Sequence, residues 1–131
     1  MLLPAATLSA IVLGLWLIIL SVRVILARRG TKTSLGDGDN TVLARRIRAQ
    51  ANLCEYAPFG LILILLAELQ GVHPYLLEPT AIIFIIGRLL HGTAFSFTQS
   101  WALGRMGGMI LTFTGLILLI ALLIISGISF G

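Results

Sequence analysis

The run Arg45-Arg46-Ile47-Arg48-Ala49-Gln50-Ala51-Asn52-Leu53-Cys54-Glu55-Tyr56-Ala57-Pro58 continues without a break into the apolar segment Phe59–Leu69, so a charged strip is built onto a helix apolar enough for a bilayer. At about 100° per residue, Arg45, Arg48, Asn52 and Glu55 share one stripe, Tyr56 lies beside it, and Phe59, Ile62 and Leu66 extend it. One face therefore carries two guanidiniums, a carboxamide, a carboxylate and a phenol. Gln50 and Cys54 point roughly the other way. A helix with polar groups on two sides must meet partners on more than one side.

The rest of the chain fits a membrane setting. Of 131 residues, 58% are hydrophobic and 11% charged, and the mean hydropathy is +1.06, which excludes an ordinary soluble domain and matches polytopic membrane proteins. Four apolar blocks, Ala5–Leu26, Leu53–Leu69, Thr80–Phe97 and Met109–Ile128, each approach the roughly 20 residues that a membrane-spanning helix needs. The fold class read from them is all-α: one integral membrane four-helix bundle over residues 1–131, with helices at about 4–27, 41–69, 79–98 and 105–128. Met1–Leu26 has no basic n-region and Arg28-Arg29 follow it, so it reads as a retained first helix rather than a secretory signal.

The net charge of +4 is an orientation signal rather than a nucleic-acid footprint, because the bases sit in short loops and at helix ends. Arg28, Arg29, Lys32, Arg45, Arg46 and Arg48 flank the first loop and Arg105 the third connection, whereas Gln70–Pro79 has no Lys or Arg. The positive-inside rule then puts loops one and three in the cytoplasm and both termini across the membrane. Cys54, the single cysteine, excludes an intrachain disulfide and a multi-Cys metal site. His73 and His91 belong at opposite ends of the bundle, so no zinc set is expected.

Local signals place the elements. Pro4 suits a first helical turn, and helix 1 is expected to fray through Arg29-Gly30-Thr31. Asp37-Gly38-Asp39-Asn40 supplies caps for helix 2, Pro58 kinks that helix and leaves the Cys54 carbonyl without its donor, and Pro79 opens helix 3. Arg88, His91 and Phe95 form one stripe of helix 3, which a short loop makes the antiparallel neighbour of helix 2. That register brings Arg88 within reach of Glu55 and sets His91 nearly level with it. Gly104, Gly107 and Gly108 permit close backbone approach at the start of helix 4.

A charge at the bilayer centre costs about 2.5–3.5 kcal/mol on insertion scales. Arg88 therefore needs an acceptor, and Glu55 is the best placed, so one reading is a purely structural Glu55–Arg88 pair. In the other, Arg48, Asn52, Glu55, Tyr56, Arg88 and His91 line a wet pocket for a small zwitterion, with guanidiniums for its carboxylates, Glu55 for its ammonium and Asn52 for its amides. Arg28, Arg48 and Arg105 converge on the same leaflet, while Lys32 and Arg46 read as headgroup contacts. Cys54 is expected to be a small buried hydrophobe, and Glu68 to snorkel from the outer end of helix 2. No Ser-His-Asp set, P-loop or Rossmann fingerprint is present.

The string Arg48-Ala49-Gln50-Ala51-Asn52-Leu53-Cys54-Glu55-Tyr56-Ala57-Pro58 closely resembles the second-helix motif R-x-Q-x-N-x-x-E-[YN]-x-P of the MAPEG family, the membrane-associated proteins in eicosanoid and glutathione metabolism. Ala27-Arg28-Arg29 after helix 1, Gly87-Arg88-Leu89 in helix 3 and the overall length support the resemblance. It is nearest to the short bacterial members related to microsomal glutathione transferases and leukotriene C synthase. The resemblance implies three chains around a threefold axis, with glutathione curled between neighbours. Arg48, Asn52, Glu55 and Tyr56 would contact it from one chain, with Arg88 and His91 beside them, and Arg28 and Gln50 would reach it from the next.

The resemblance further implies a membrane-bound glutathione transferase, with peroxidase as a side activity, conjugating glutathione as co-substrate to hydrophobic electrophiles drawn from the lipid bilayer. The setting would be a bacterial inner membrane, and no metal is implied. Arg105 is the candidate for the family's thiolate-stabilising arginine: a free thiol has a pKa of about 8.5, and a neighbouring cation raises its thiolate fraction. The chain departs from the pattern at His91 and Phe95, where strongly conjugating relatives carry tyrosines. The alternative is a non-catalytic MAPEG-like membrane protein that binds lipid or a partner protein at the same groove. A small transporter or channel finds little support, since four helices with one central arginine give no evident pore.

Overall fold

Helix ends in this chain are held by polar groups, some local and some from a distant helix, and apolar surface fills the space between them. The computed structural model describes residues 3–99 and 101–129, in four helices: α1 (Pro4–Thr31), α2 (Thr41–Leu69), α3 (Pro74–Ser96) and α4 (Ala102–Ser129). All four are long and apolar enough to cross a membrane, which fits the all-α bundle read from the sequence.

The first amides of a helix lack intrahelical partners. In α1 Glu68 supplies them, its two carboxylate oxygens accepting from the Ala5 and Ala6 backbone N–H groups at 2.9 and 2.8 Å. Glu68 therefore does not snorkel; it faces inward because the positive end of α1 is a better partner than the interface. At its other end α1 runs four residues past the expected position 27, through Gly30. Lys32 adopts a left-handed conformation (φ 54°) with its N–H on the Arg28 and Arg29 carbonyls, and the Thr33 N–H adds a bond to the Arg28 carbonyl at 3.1 Å. This closure holds the last turn instead of letting it fray.

Asn40 caps α2 as expected, its Oδ1 accepting from the Leu43 N–H at 2.9 Å, and α2 passes Pro58 as one helix. α3 starts earlier than expected. Pro74 occupies its first turn and His73 caps it, Nδ1 accepting from the Tyr75 N–H at 3.3 Å. Pro79 then lies inside the helix, where its missing N–H removes a single bond. α3 ends at Ser96, two residues short of the expected 98, and α4 begins at Ala102, three before the expected 105.

α2 and α3 form the middle of the bundle. α1 packs on both, α4 packs on both, and α1 and α4 do not touch among the described residues. α2 thus meets all three other helices, as its two polar sides required. Leu13, Leu20, Leu53, Ile64, Leu77, Phe84 and Leu119 fill the core, while Leu8, Leu15, Ile18, Ile117 and Ile124 leave the outer faces apolar.

Polar clasps hold α1 at both ends. Opposite the Glu68 cap, Arg23 donates from Nε to Ser96 Oγ at 2.8 Å and from Nη2 to the Ser96 carbonyl at 2.6 Å, with its guanidinium 3.7 Å above the Phe97 ring. A cation at the C-terminal carbonyls of α3 complements its dipole.

Lipid tails are as apolar as leucine, so helix pairs in a membrane gain from close backbone packing. At the α3–α4 contact a Cβ on Gly108 would lie 2.7 Å from His91 N and 2.8 Å from His91 Cα, one on Gly87 would lie 2.6 Å from Thr112 N, and one on Gly115 would lie 2.9 Å from Phe84 Cα. The close approach expected near Gly108 is present, and Gly87 and Gly115 extend it along both helices. Gly108→Ala should lower stability by about 1–3 kcal/mol, since helix backbone must yield to the added methyl. Gly14→Ala, where a Cβ meets nothing within 4 Å, should cost nothing; thermal unfolding of both variants in detergent checks the contrast.

Candidate functional site

A guanidinium withdrawn from water needs an acceptor for each donor it turns inward. Arg88, on α3, is 1% exposed. Its Nη1 donates to Asn52 Oδ1 at 2.6 Å and, more distantly, to the Asn52 carbonyl at 3.5 Å. Nε donates to Thr112 Oγ1 at 2.8 Å and Nη2 to Met109 Sδ at 3.4 Å. The Thr112 hydroxyl proton goes to the Gly108 carbonyl at 2.7 Å, which leaves its lone pairs for Arg88. The Tyr56 ring lies 4.9 Å from the guanidinium carbon, and its edge meets Phe113 at 5.9 Å. α2 and α4 thus jointly hold one α3 side chain with uncharged groups.

The expected Glu55–Arg88 pair does not form. Asn52, one turn earlier on α2, reaches the guanidinium with a neutral oxygen, and Glu55 keeps its hydration by turning outward. Glu55 Oε1 instead lies 3.7 Å from Arg48 Nη1, with the two side chains 50% and 62% exposed. That is the one ion pair among the described residues. So open a pair contributes at most about 1 kcal/mol, and both groups stay available to a ligand.

The single wet pocket expected from the sequence is therefore divided. Asn52 and Arg88 form a buried node with Tyr56 against it, and a separate open cavity of about 550 Å³ lies at the end of the bundle that carries the α1–α2 loop. Arg28, Arg45 and Arg48 bring three guanidiniums to its wall, with Gly36, Asp37, Ala44, Ile47, Ala51 and Phe95. Arg28 Nη1 donates to the Gly36 carbonyl at 2.8 Å, which ties the loop to the end of α1. The volume falls within the roughly 300–1,000 Å³ of small-molecule sites.

Two other residues singled out from the sequence do not line this cavity, although His91 packs on Phe95 of its wall. Gln50 Nε2 donates to Ser21 Oγ of α1 at 2.8 Å, and His91 is buried with its ring 5.0 Å from Phe95. Cys54 is exposed rather than buried and borders a groove of about 220 Å³ between α1 and α2; its angular position was read correctly, but α1 leaves that side of α2 open. No group of three His, Cys, Asp or Glu side chains that could hold a metal occurs among the described residues.

Arg105, exposed on the first turn of α4, sits with its guanidinium carbon 5.2 Å from the Phe95 ring centre. It lines a second cavity of about 250 Å³ with Arg45, Ala94, Phe95, Gln99, Trp101 and Ala102. Arg45 and Phe95 line both cavities and form the wall between them. Sequence reasoning placed Arg45 on the polar stripe without assigning it a site role, and it missed Thr112 and Met109. Thr112 carried a weak signal, a hydroxyl one helical turn beyond Gly108.

The MAPEG family profile, that of the membrane-associated proteins anticipated from the α2 motif, matches residues 6–125 and so reaches into all four helices. The chain belongs to the MAPEG family. It is also similar to the inner membrane protein YecN of Escherichia coli strain K12, with 29% identity over 115 residues covering 88% of this chain and 86% of YecN. YecN of Escherichia coli O6:H1 strain CFT073 matches to the same extent. In this MAPEG chain the motif residues divide by depth: Asn52 serves the buried node, and Arg48 and Glu55 serve the surface.

Removing one neutral acceptor from the node should be expensive. Thr112→Val keeps the shape but leaves Arg88 Nε without its oxygen, and should cost about 1.5–3 kcal/mol, whereas Thr112→Ser should cost much less. Denaturant titration of the two variants in mixed micelles tests this, and a stable Thr112→Val beside a destabilised Thr112→Ser would mean that the methyl group matters rather than the hydroxyl.

Proposed function

We propose that this MAPEG protein is a homotrimeric glutathione transferase of the bacterial inner membrane, with the α1–α2 loop and Arg105 on the cytoplasmic side. The observation that carries the reading is the open cavity in which Arg28, Arg45 and Arg48 gather beside the exposed Glu55 carboxylate. Glutathione has two carboxylates and one ammonium, so three guanidiniums and one carboxylate match its charges in kind. Family membership and the name of the YecN relatives support the membrane setting, and the distribution of basic residues supports the orientation.

In this reading the cavity holds the peptide and directs its thiol toward the wall shared with Arg105. The Arg105 guanidinium stabilises the thiolate; the sulfur lone pair attacks the electrophilic carbon of a bilayer-borne substrate, and the leaving group departs with its bonding pair. Apolar outer faces admit the substrate, and the held peptide supplies orientation. The same thiolate would give peroxidase activity by attacking a hydroperoxide oxygen: the O–O bond breaks, the alkoxide leaves and is protonated to the alcohol, and a second glutathione thiol attacks the resulting sulfenic acid to give the disulfide and water.

A second reading, a non-catalytic site for an anionic amphiphile, draws support from the apolar part of the wall, Ala44, Ile47, Ala51 and Phe95. Purified protein in detergent separates the two. The transferase reading expects saturable heat on titration with glutathione and conjugation of a chlorodinitrobenzene, lowered roughly tenfold or more in Arg105→Ala at neutral pH as thiolate is lost. Equal turnover by the variant removes Arg105 from the mechanism. No heat at millimolar glutathione, with saturable binding of a fatty acid, gives the site to the amphiphile.

A further inference from the structure

Arg45 differs from the other arginines at this end of the bundle. It lines both cavities, and its Nη1 donates to the Gln99 backbone carbonyl beyond the end of α3. Its Nε is buried and has no hydrogen-bond partner. Arg46 also has a partnerless Nε, but it lines neither cavity and its Nη1 is held by the Arg23 carbonyl. A buried donor left unmatched is a standing cost, so the Arg45 side chain has free energy to gain from a different position. The open space that it borders is the two cavities it lines.

We propose that Arg45 is a ligand-operated partition: when an anionic peptide thiol enters the larger cavity, the Arg45 guanidinium leaves the Gln99 carbonyl for a ligand carboxylate, and the two cavities join in front of Arg105. The inference rests on the glutathione reading above and adds to it a positioning residue. Exchange of a neutral carbonyl for a carboxylate strengthens the bond and lets the planar fork use Nε together with Nη. Phe95, the other half of the wall, stays in place and keeps Arg105 over its ring. A carboxylate on the ligand thus opens the path by which its own thiol reaches the cation that activates it, which favours an acidic peptide thiol over thiols that carry no carboxylate. A rearrangement driven by the correct substrate that completes the catalytic site is a common source of specificity.

Trp101 lines the smaller cavity with Arg45 and Arg105, whereas Trp16 stacks on Phe97 between α1 and α3, so Trp16→Phe leaves Trp101 as the single reporter in the full-length protein. Glutathione should change Trp101 emission saturably in this background, with the same midpoint as the calorimetric titration. Adding Arg45→Gln should weaken glutathione binding roughly tenfold and abolish the emission change even at saturation. Arg45→Lys, which keeps a cation able to reach a carboxylate, should restore most of the response. An unchanged Trp101 response in Arg45→Gln overturns the partition while leaving the transferase reading intact, and so does equal loss in Arg45→Gln and Arg45→Lys. Absence of glutathione heat in the parent protein overturns both.

Discussion

One buried cation organises this bundle. Arg88 has no carboxylate within ion-pair distance among the described residues, so its charge is offset by dipoles: a carboxamide from α2, a hydroxyl and a thioether from α4, and the face of Tyr56. Short neutral acceptors reach a guanidinium only when the helix backbones are close. The glycine contacts between α3 and α4 are therefore a condition of the node, and the Gly108 carbonyl that orients the Thr112 hydroxyl is part of the same arrangement. Packing and polar satisfaction specify a single register between three helices.

The same economy shapes the site. Because Asn52 meets the internal demand, Glu55 and Arg48 are not consumed by it and remain at the surface, where their mutual attraction is weak. The basic cavity adds Arg28 from the end of α1 and Arg45 from α2, and no acid except Asp37 lines it. α1 is positioned for this by its two clasps, Glu68 on its first amides and Arg23 on the last carbonyls of α3. A rigid buried node beneath an under-neutralised rim is an arrangement suited to holding a small anion at the membrane boundary.

The number and type of elements were legible in the sequence because long apolar runs interrupted by basic loops have few other readings. The stripe Arg48-Asn52-Glu55 was legible for the same reason, as helix periodicity fixes which residues share a face. Periodicity does not fix depth or choice of partner. Glu55 and Asn52 sit on one stripe, and only the three-dimensional register decides which of them meets Arg88. Pro74 and Pro79 are equally acceptable openings for α3, and the His73 cap selects the first. Glu68 looked like an isolated charge and Arg23 attracted no reading, because each serves a helix end more than sixty residues away. Arg45 was read as one of several loop-flanking bases, and its position between two cavities depends on where Gln99 and Phe95 lie.

The central claim is that Arg88 is held by Asn52 and not by Glu55, which leaves Glu55 free for a ligand. Double-mutant cycles on the folded protein in detergent address it directly, pairing Arg88→Met with Asn52→Ala in one cycle and with Glu55→Gln in the other. The account predicts a coupling of about 1.5 kcal/mol or more between Arg88 and Asn52, and additivity within about 0.5 kcal/mol for Arg88 and Glu55. Strong coupling of Arg88 to Glu55 with near-additivity toward Asn52 would contradict it.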